Sequence, residues 1–124
     1  MRYLMSSKVN ERILLAALWI CHFLLWTFGD MFALMQSPAE PVTEMIIMII
    51  APTLHIIMTL MIVLSLKAEL KYVKWANIAV PIVFLLFNVQ YLSEYSEIWN
   101  YILGAGYVLF NILTIWNAWK LPTE

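Results

Sequence analysis

Four apolar stretches alternate with short polar ones along this chain, and their spacing predicts four membrane-crossing helices at about 13–35, 44–66, 75–92 and 98–119. Each is close to the ~20 residues that a helix rising ~1.5 Å per residue needs to cross a hydrocarbon core of ~30 Å. The first is read as a span rather than a cleaved leader. Its apolar run is longer than a leader's, and it contains His22 and the pair Gly29-Asp30. Between the first two segments, 36–43 has two prolines and no basic residue, which reads as a loop, with Thr43 placed to cap the next helix. Residues 93–97 read as a tight acidic turn. Pro52 and Pro81 fall inside the second and third spans, where each removes a backbone donor and predicts a kink.

Polar residues recur at helical spacing within these segments, one stripe to a span. The first stripe is Trp19, His22, Trp26, Gly29, Asp30 and Ala33; the second is Met48, Pro52, His55, Thr59 and Ile62. The third is Asn77, Pro81, Phe84, Asn88, Tyr91 and Tyr95; the fourth is Asn100, Gly104, Tyr107, Asn111, Thr114 and Ala118. Amides and imidazoles turned toward lipid would go unsatisfied, so the stripes predict a bundle whose interior is lined with polar groups. The fold class is therefore an all-α, integral-membrane four-helix bundle forming one domain over 1–124.

Composition supports this and removes other classes. The chain is 64% hydrophobic and 12% charged, about half the charge that covers a soluble domain. Its seven basic residues lie in three small groups with a net charge of −1, which gives nucleic acid no electrostatic footprint. A single cysteine, Cys21, allows neither an internal disulfide nor a thiolate cluster.

Charge also sets the threading. The stretch 65–77 carries Lys67, Lys71 and Lys74 and is expected to form a loop held on the cytoplasmic side. Four spans then put both termini, with Arg2, Lys8, Arg12 and Lys120, on that side, and Glu40, Glu44, Glu94 and Glu97 on the other. Tyr72, Trp75, Trp116 and Trp119 fall at the inner interface; Tyr91, Tyr95, Trp99 and Tyr101 fall at the outer one.

Three segments carry a resemblance. ALWICHFLLWTFGDMFAL (17–34), MIVLSLKAELKYVKWANI (61–78) and IWNAWKLP (115–122) resemble a family of small bacterial four-span membrane proteins classed as a domain of unknown function. The resemblance implies a multi-pass protein of the bacterial cytoplasmic membrane. It brings no activity, cofactor or catalytic residue.

Function would lie with the intramembrane polar groups. His22 and His55 sit ~15 Å from Arg12 and ~16 Å from Glu44, at similar depth on consecutive antiparallel helices, so they could face each other. Haem ligation, a proton relay and a metal clip compete there with two hydrogen-bonded neutral rings, and the last is favoured because zinc wants four ligands. Asp30 is the one acidic residue well inside a span, about 7 Å below its outer end. It is either an ion or proton site or an anchor for donors on Tyr91, Tyr95, Asn100 or Tyr101. Asn88, Tyr107 and Asn111 complete the candidate ligand or proton site, against the simpler role of hydrogen-bonding helix to helix.

No cofactor, metal or enzymatic activity is expected. The reading is a binding or interaction module whose partners are membrane lipids, a small hydrophobic ligand or further copies of itself. The alternatives are a small dimeric transporter, by likeness of size to multidrug exporters but without their deep first-span carboxylate, and a haem- or quinone-linked oxidoreductase subunit.

Overall fold

The computed structural model describes residues 2–36, 46–90 and 97–122, with side chains described for 9–35, 48–89 and 97–122. Residues 37–43 of the expected loop with its Thr43 cap, residues 93–96 of the acidic turn, and Tyr91 and Tyr95 lie outside these residues.

The described residues form four long helices, in sequence α1 (Arg2–Gln36), a π-helical turn (Ile46–Ile50) running directly into α2 (Ala51–Lys67), then α3 (Leu70–Gln90) and α4 (Ile98–Trp119). Each contains a stretch long and apolar enough to cross a membrane: Val9–Met35, Met48–Lys67, Leu70–Val89 and Ile98–Trp119. Helix α1 packs on α2 and α4, and α3 packs on α4 and more lightly on α2, so the helices close a ring. Contacts between α1 and its neighbours fix the directions. Arg12 meets Ser65 while Thr27 meets His55, so α1 and α2 are antiparallel. His22 meets Thr114 while Phe32 stacks on Trp99, so α1 and α4 are antiparallel as well.

The burial pattern reverses that of a soluble bundle. Ser65, His22, Asn77, Asn111 and Thr114 are among the fully buried side chains, whereas Leu24, Phe28, Ile56, Leu60, Leu86 and Ile102 are exposed. Apolar packing still fills two layers. Trp19, Trp26, Met58, Met61, Phe84 and Tyr107 form one. Leu15, Leu18, Val73, Ala118 and Leu121 form the other, nearer the lysines.

Three expectations need correction. The lysine stretch is almost entirely helical: only Ala68 and Glu69 separate α2 from α3, which begins at Leu70 rather than near 75. The Glu69 carbonyl accepts from the backbone N–H groups of Tyr72 and Val73 at 2.9 and 3.0 Å, so the new helix starts at once. Lys71 and Lys74 therefore stand on the first turns of α3. Their ammonium groups lie over aromatic rings, Lys74 5.3 Å from the centroid of Trp119 and Lys71 5.0 Å from that of Tyr72.

The second correction concerns α2, whose buried face is Ala51, Met58, Met61 and Ser65, while Met48, Pro52 and Thr59 point outward. The expected stripe is one residue out of phase. Thr53 and Thr59 need no bundle partner because their hydroxyls donate to the carbonyls of Ile49 and His55, each at 2.8 Å, and the methionines dock against Trp19 and Trp26 instead. Third, the second span is not α-helical throughout: a π-helical turn precedes Ala51, and Pro52 follows it in the first turn of α2. Pro81 is inside α3, which stays helical through it.

Candidate functional site

Two regions of buried polar groups divide the bundle, and they differ in how completely their hydrogen bonds are made. At the lysine end the network is paired. The Arg12 guanidinium donates to the Ser65 carbonyl at 3.1 Å, and the Trp19 indole N–H donates to Asn77 Oδ1 at 2.6 Å. Asn77 Nδ2 in turn donates to Ser65 Oγ at 3.1 Å and to the Val73 carbonyl at 2.9 Å. Asn77 thereby ties α1, α2 and α3 together, which is the helix-to-helix role that the simpler reading assigns to such amides.

One level further from the lysines, His22 is fully buried against Trp19, with ring centroids 4.6 Å apart. Its Nε2 lies 3.1 Å from the Thr114 hydroxyl, which already donates to the Phe110 carbonyl at 2.7 Å. The Thr114 proton is therefore spent, so Nε2 carries the ring proton and donates it. Nδ1 of His22 and Oδ1 of Asn111 are buried acceptors with no partner among the described residues, while Asn111 Nδ2 donates to the Tyr107 carbonyl at 2.9 Å.

His55 sits elsewhere, on the seam between α1 and α2. Its Nδ1 donates to the Ala51 carbonyl at 2.6 Å, its Nε2 is 2.8 Å from the Thr27 hydroxyl, and its ring stands edge-on to Phe23. The histidines expected to face each other thus occupy separate seams with separate partners. Among the described residues, no three His, Cys, Asp or Glu side chains converge as a metal-binding group. What His55 approaches is Asp30, with Nδ1 4.0 Å from Oδ2.

Asp30 lines a cavity of about 150 Å³ at the end of the bundle away from the lysines, and all four helices contribute to its wall. Its polar groups are Asp30, Trp26 and Tyr107 with Asn88, Trp99 and Asn100; Ile50, Leu54, Phe87 and Leu103 make up much of the rest. Trp26 and Tyr107 stack nearly parallel, 13° between ring planes and 4.9 Å between centroids. The Tyr107 hydroxyl donates to the Leu25 carbonyl at 3.2 Å. Gly29 permits this approach, because a Cβ there would overlap the Tyr107 hydroxyl.

The distinguishing feature is a set of N–H donors. Trp26 Nε1 from α1, Asn88 Nδ2 from α3 and Trp99 Nε1 from α4 are all buried without a hydrogen-bond partner among the described residues, and all three residues line this cavity. Trp26 and Asn88 are buried, at 9% and 4% exposure, and Trp99 is partly buried. A buried donor left unsatisfied costs ~1–3 kcal/mol, so three at one cavity call for an explanation.

Of the residues singled out in the sequence, the structure brings Asp30, Asn88 and Tyr107 to this cavity, sets His55 beside it, and leaves His22 and Asn111 deeper in the bundle. The indole donors are what sequence reasoning missed. Trp26 was placed on the polar stripe without a role, and Trp99 was assigned to the outer interface belt; its position one residue before Asn100 and its neighbourhood to an acidic turn carried no sign that the ring turns inward. Comparisons with family models, with curated proteins and with solved structures each find no match to the chain.

Proposed function

We propose that this chain is a multi-pass protein of the bacterial cytoplasmic membrane that binds a small amphiphilic molecule in the cavity at the outer end of its bundle. Its likeness to small four-span membrane proteins belongs to the same reading. The observation that carries it is the contrast in hydrogen bonding: donors are paired at the lysine end and unpartnered around the cavity. A fold stabilised by polar helix contacts alone would have no reason to leave indole and amide N–H groups bare at one place.

Insertion follows from the apolar exterior, since contiguous leucine, isoleucine and phenylalanine surface on every side of a bundle is stable in lipid and not in water. Orientation follows from the basic residues. Arg12, Lys67, Lys71, Lys74 and Lys120 gather at one end, which the positive-inside rule assigns to the cytoplasm, so the cavity lies toward the outer side. With Cys21 replaced, a cysteine at position 71 in intact cells is expected to be shielded from an impermeant thiol reagent and one at position 39 to react. The reverse pattern would withdraw the orientation.

Binding is tested by comparing the wild type with Ala33→Phe, which fills the cavity from its wall. Both are reconstituted in lipid nanodiscs loaded with total membrane extract, and their bound small molecules are extracted and weighed by mass spectrometry. The wild type is expected to enrich one class of amphiphile over the surrounding lipid, and the filled variant to lose that enrichment. Identical composition in the two would remove the binding role.

A further inference from the structure

We propose that the cavity takes a quinone-type ring: a flat, uncharged, six-membered ring bearing carbonyl oxygens. The inference rests on the binding role above and names the ligand's chemistry. Three observations converge on it. The first is the sign of the unsatisfied groups. Trp26 Nε1, Asn88 Nδ2 and Trp99 Nε1 are all donors, so the occupant must present acceptors. They come from three different helices, so those acceptors lie on more than one edge of the occupant.

The second is charge. The cavity wall contains no lysine or arginine among the described residues, and it does contain the Asp30 carboxylate. A phosphate or carboxylate would meet that carboxylate with no cation to offset it, which leaves an uncharged acceptor such as a carbonyl oxygen.

The third is size and shape. A cavity of about 150 Å³ matches the engineered cavity of ~150 Å³ that accepts benzene, so one six-membered ring is the scale of the occupant. The stacked pair Trp26 and Tyr107, with Phe87 and Trp99, offers flat faces to such a ring. This is a binding proposal, and it includes no electron transfer.

The probe is decylubiquinone, whose fully substituted ring does not add thiols and so spares Cys21. It is titrated into nanodiscs containing the whole chain, with tryptophan quenching as the readout and Ala33→Phe as the baseline for quencher dissolved in lipid. Saturable quenching above that baseline is expected. Trp99→Phe keeps the ring and removes its N–H, and Asn88→Leu removes the amide; each is expected to weaken binding about threefold to tenfold, the equivalent of one hydrogen bond. Tetraphenylphosphonium, a lipophilic cation, is expected not to compete.

Absence of saturable quenching overturns the proposal, as does binding unchanged in both donor variants. Saturable binding of the phosphonium that is lost in Asp30→Asn would make this a cation site instead. Amphiphile enrichment in the extraction experiment without quinone binding would refute the ligand class and leave the binding role standing. Failure of both experiments would remove both.

Discussion

Gly29→Ala is expected to destabilise the bundle by about 1–3 kcal/mol, the usual cost of forcing a side chain into filled space, although the exchange is ordinarily favourable within a helix. The added Cβ overlaps the Tyr107 hydroxyl, while the next nearest atoms, Tyr107 Cζ at 3.5 Å and a Leu103 methyl at 3.6 Å, are at ordinary contact. Removing that one oxygen should therefore restore the fit. Tyr107→Phe alone loses the hydrogen bond to the Leu25 carbonyl and is expected to be mildly destabilising. The double variant should be more stable than Gly29→Ala alone, and this non-additivity is the measurement that matters. Additive losses in a denaturant titration would mean that α1 and α4 do not meet through this contact.

At the opposite end, Asn77→Leu is expected to cost about 2 kcal/mol. The substitution strands the Trp19 indole N–H and removes the partner of Ser65 Oγ, both fully buried. Each such loss would reach ~1–3 kcal/mol against a water-exposed unfolded state. In a bilayer, separated helices find other partners, and single interhelical bonds average ~0.6 kcal/mol with a maximum of ~1.7. Two bonds lost together amount to about 1.2–3.4 kcal/mol on that scale, which brackets the expected figure. Ser65→Ala, which removes one bond, should cost less than half as much. Equal losses from the two variants would mean that the Trp19 bond contributes nothing.

These two sites show what the sequence carries and what it withholds. The stripes on α1, α3 and α4 are legible because Asn77, Pro81, Phe84 and Asn88, or Gly104, Tyr107, Asn111, Thr114 and Ala118, recur at helical spacing and can only be satisfied inward. The stripe on α2 misleads because threonine has a second option: its hydroxyl can donate to its own helix one turn back, so it does not have to face the interior. Helix starts fail for a related reason. Three lysines at 65–77 read as a loop, but a lysine on a first helical turn can lay its stem along an aromatic ring and keep its charge at the surface, as Lys71 and Lys74 do.

Partner identity is the least legible layer. Depth along the spans correctly brings Asp30 near the mouth, and it suggests equally well that His22 and His55 meet. Depth does not specify which side of a helix each ring leaves from, and a quarter turn is enough to send His22 to Thr114 on α4 and His55 to Thr27 on α1. Unpartnered donors are invisible in a sequence altogether, since they are defined by what three helices fail to supply at one point in space.

The packing beneath the cavity has a consequence for traffic. Trp19 is fully buried, edge-on to Phe84 at 5.6 Å and tethered through its indole N–H to Asn77. A solute passing from the cavity toward the lysine end would have to displace Trp19 from both its edge contact with Phe84 and its tether to Asn77.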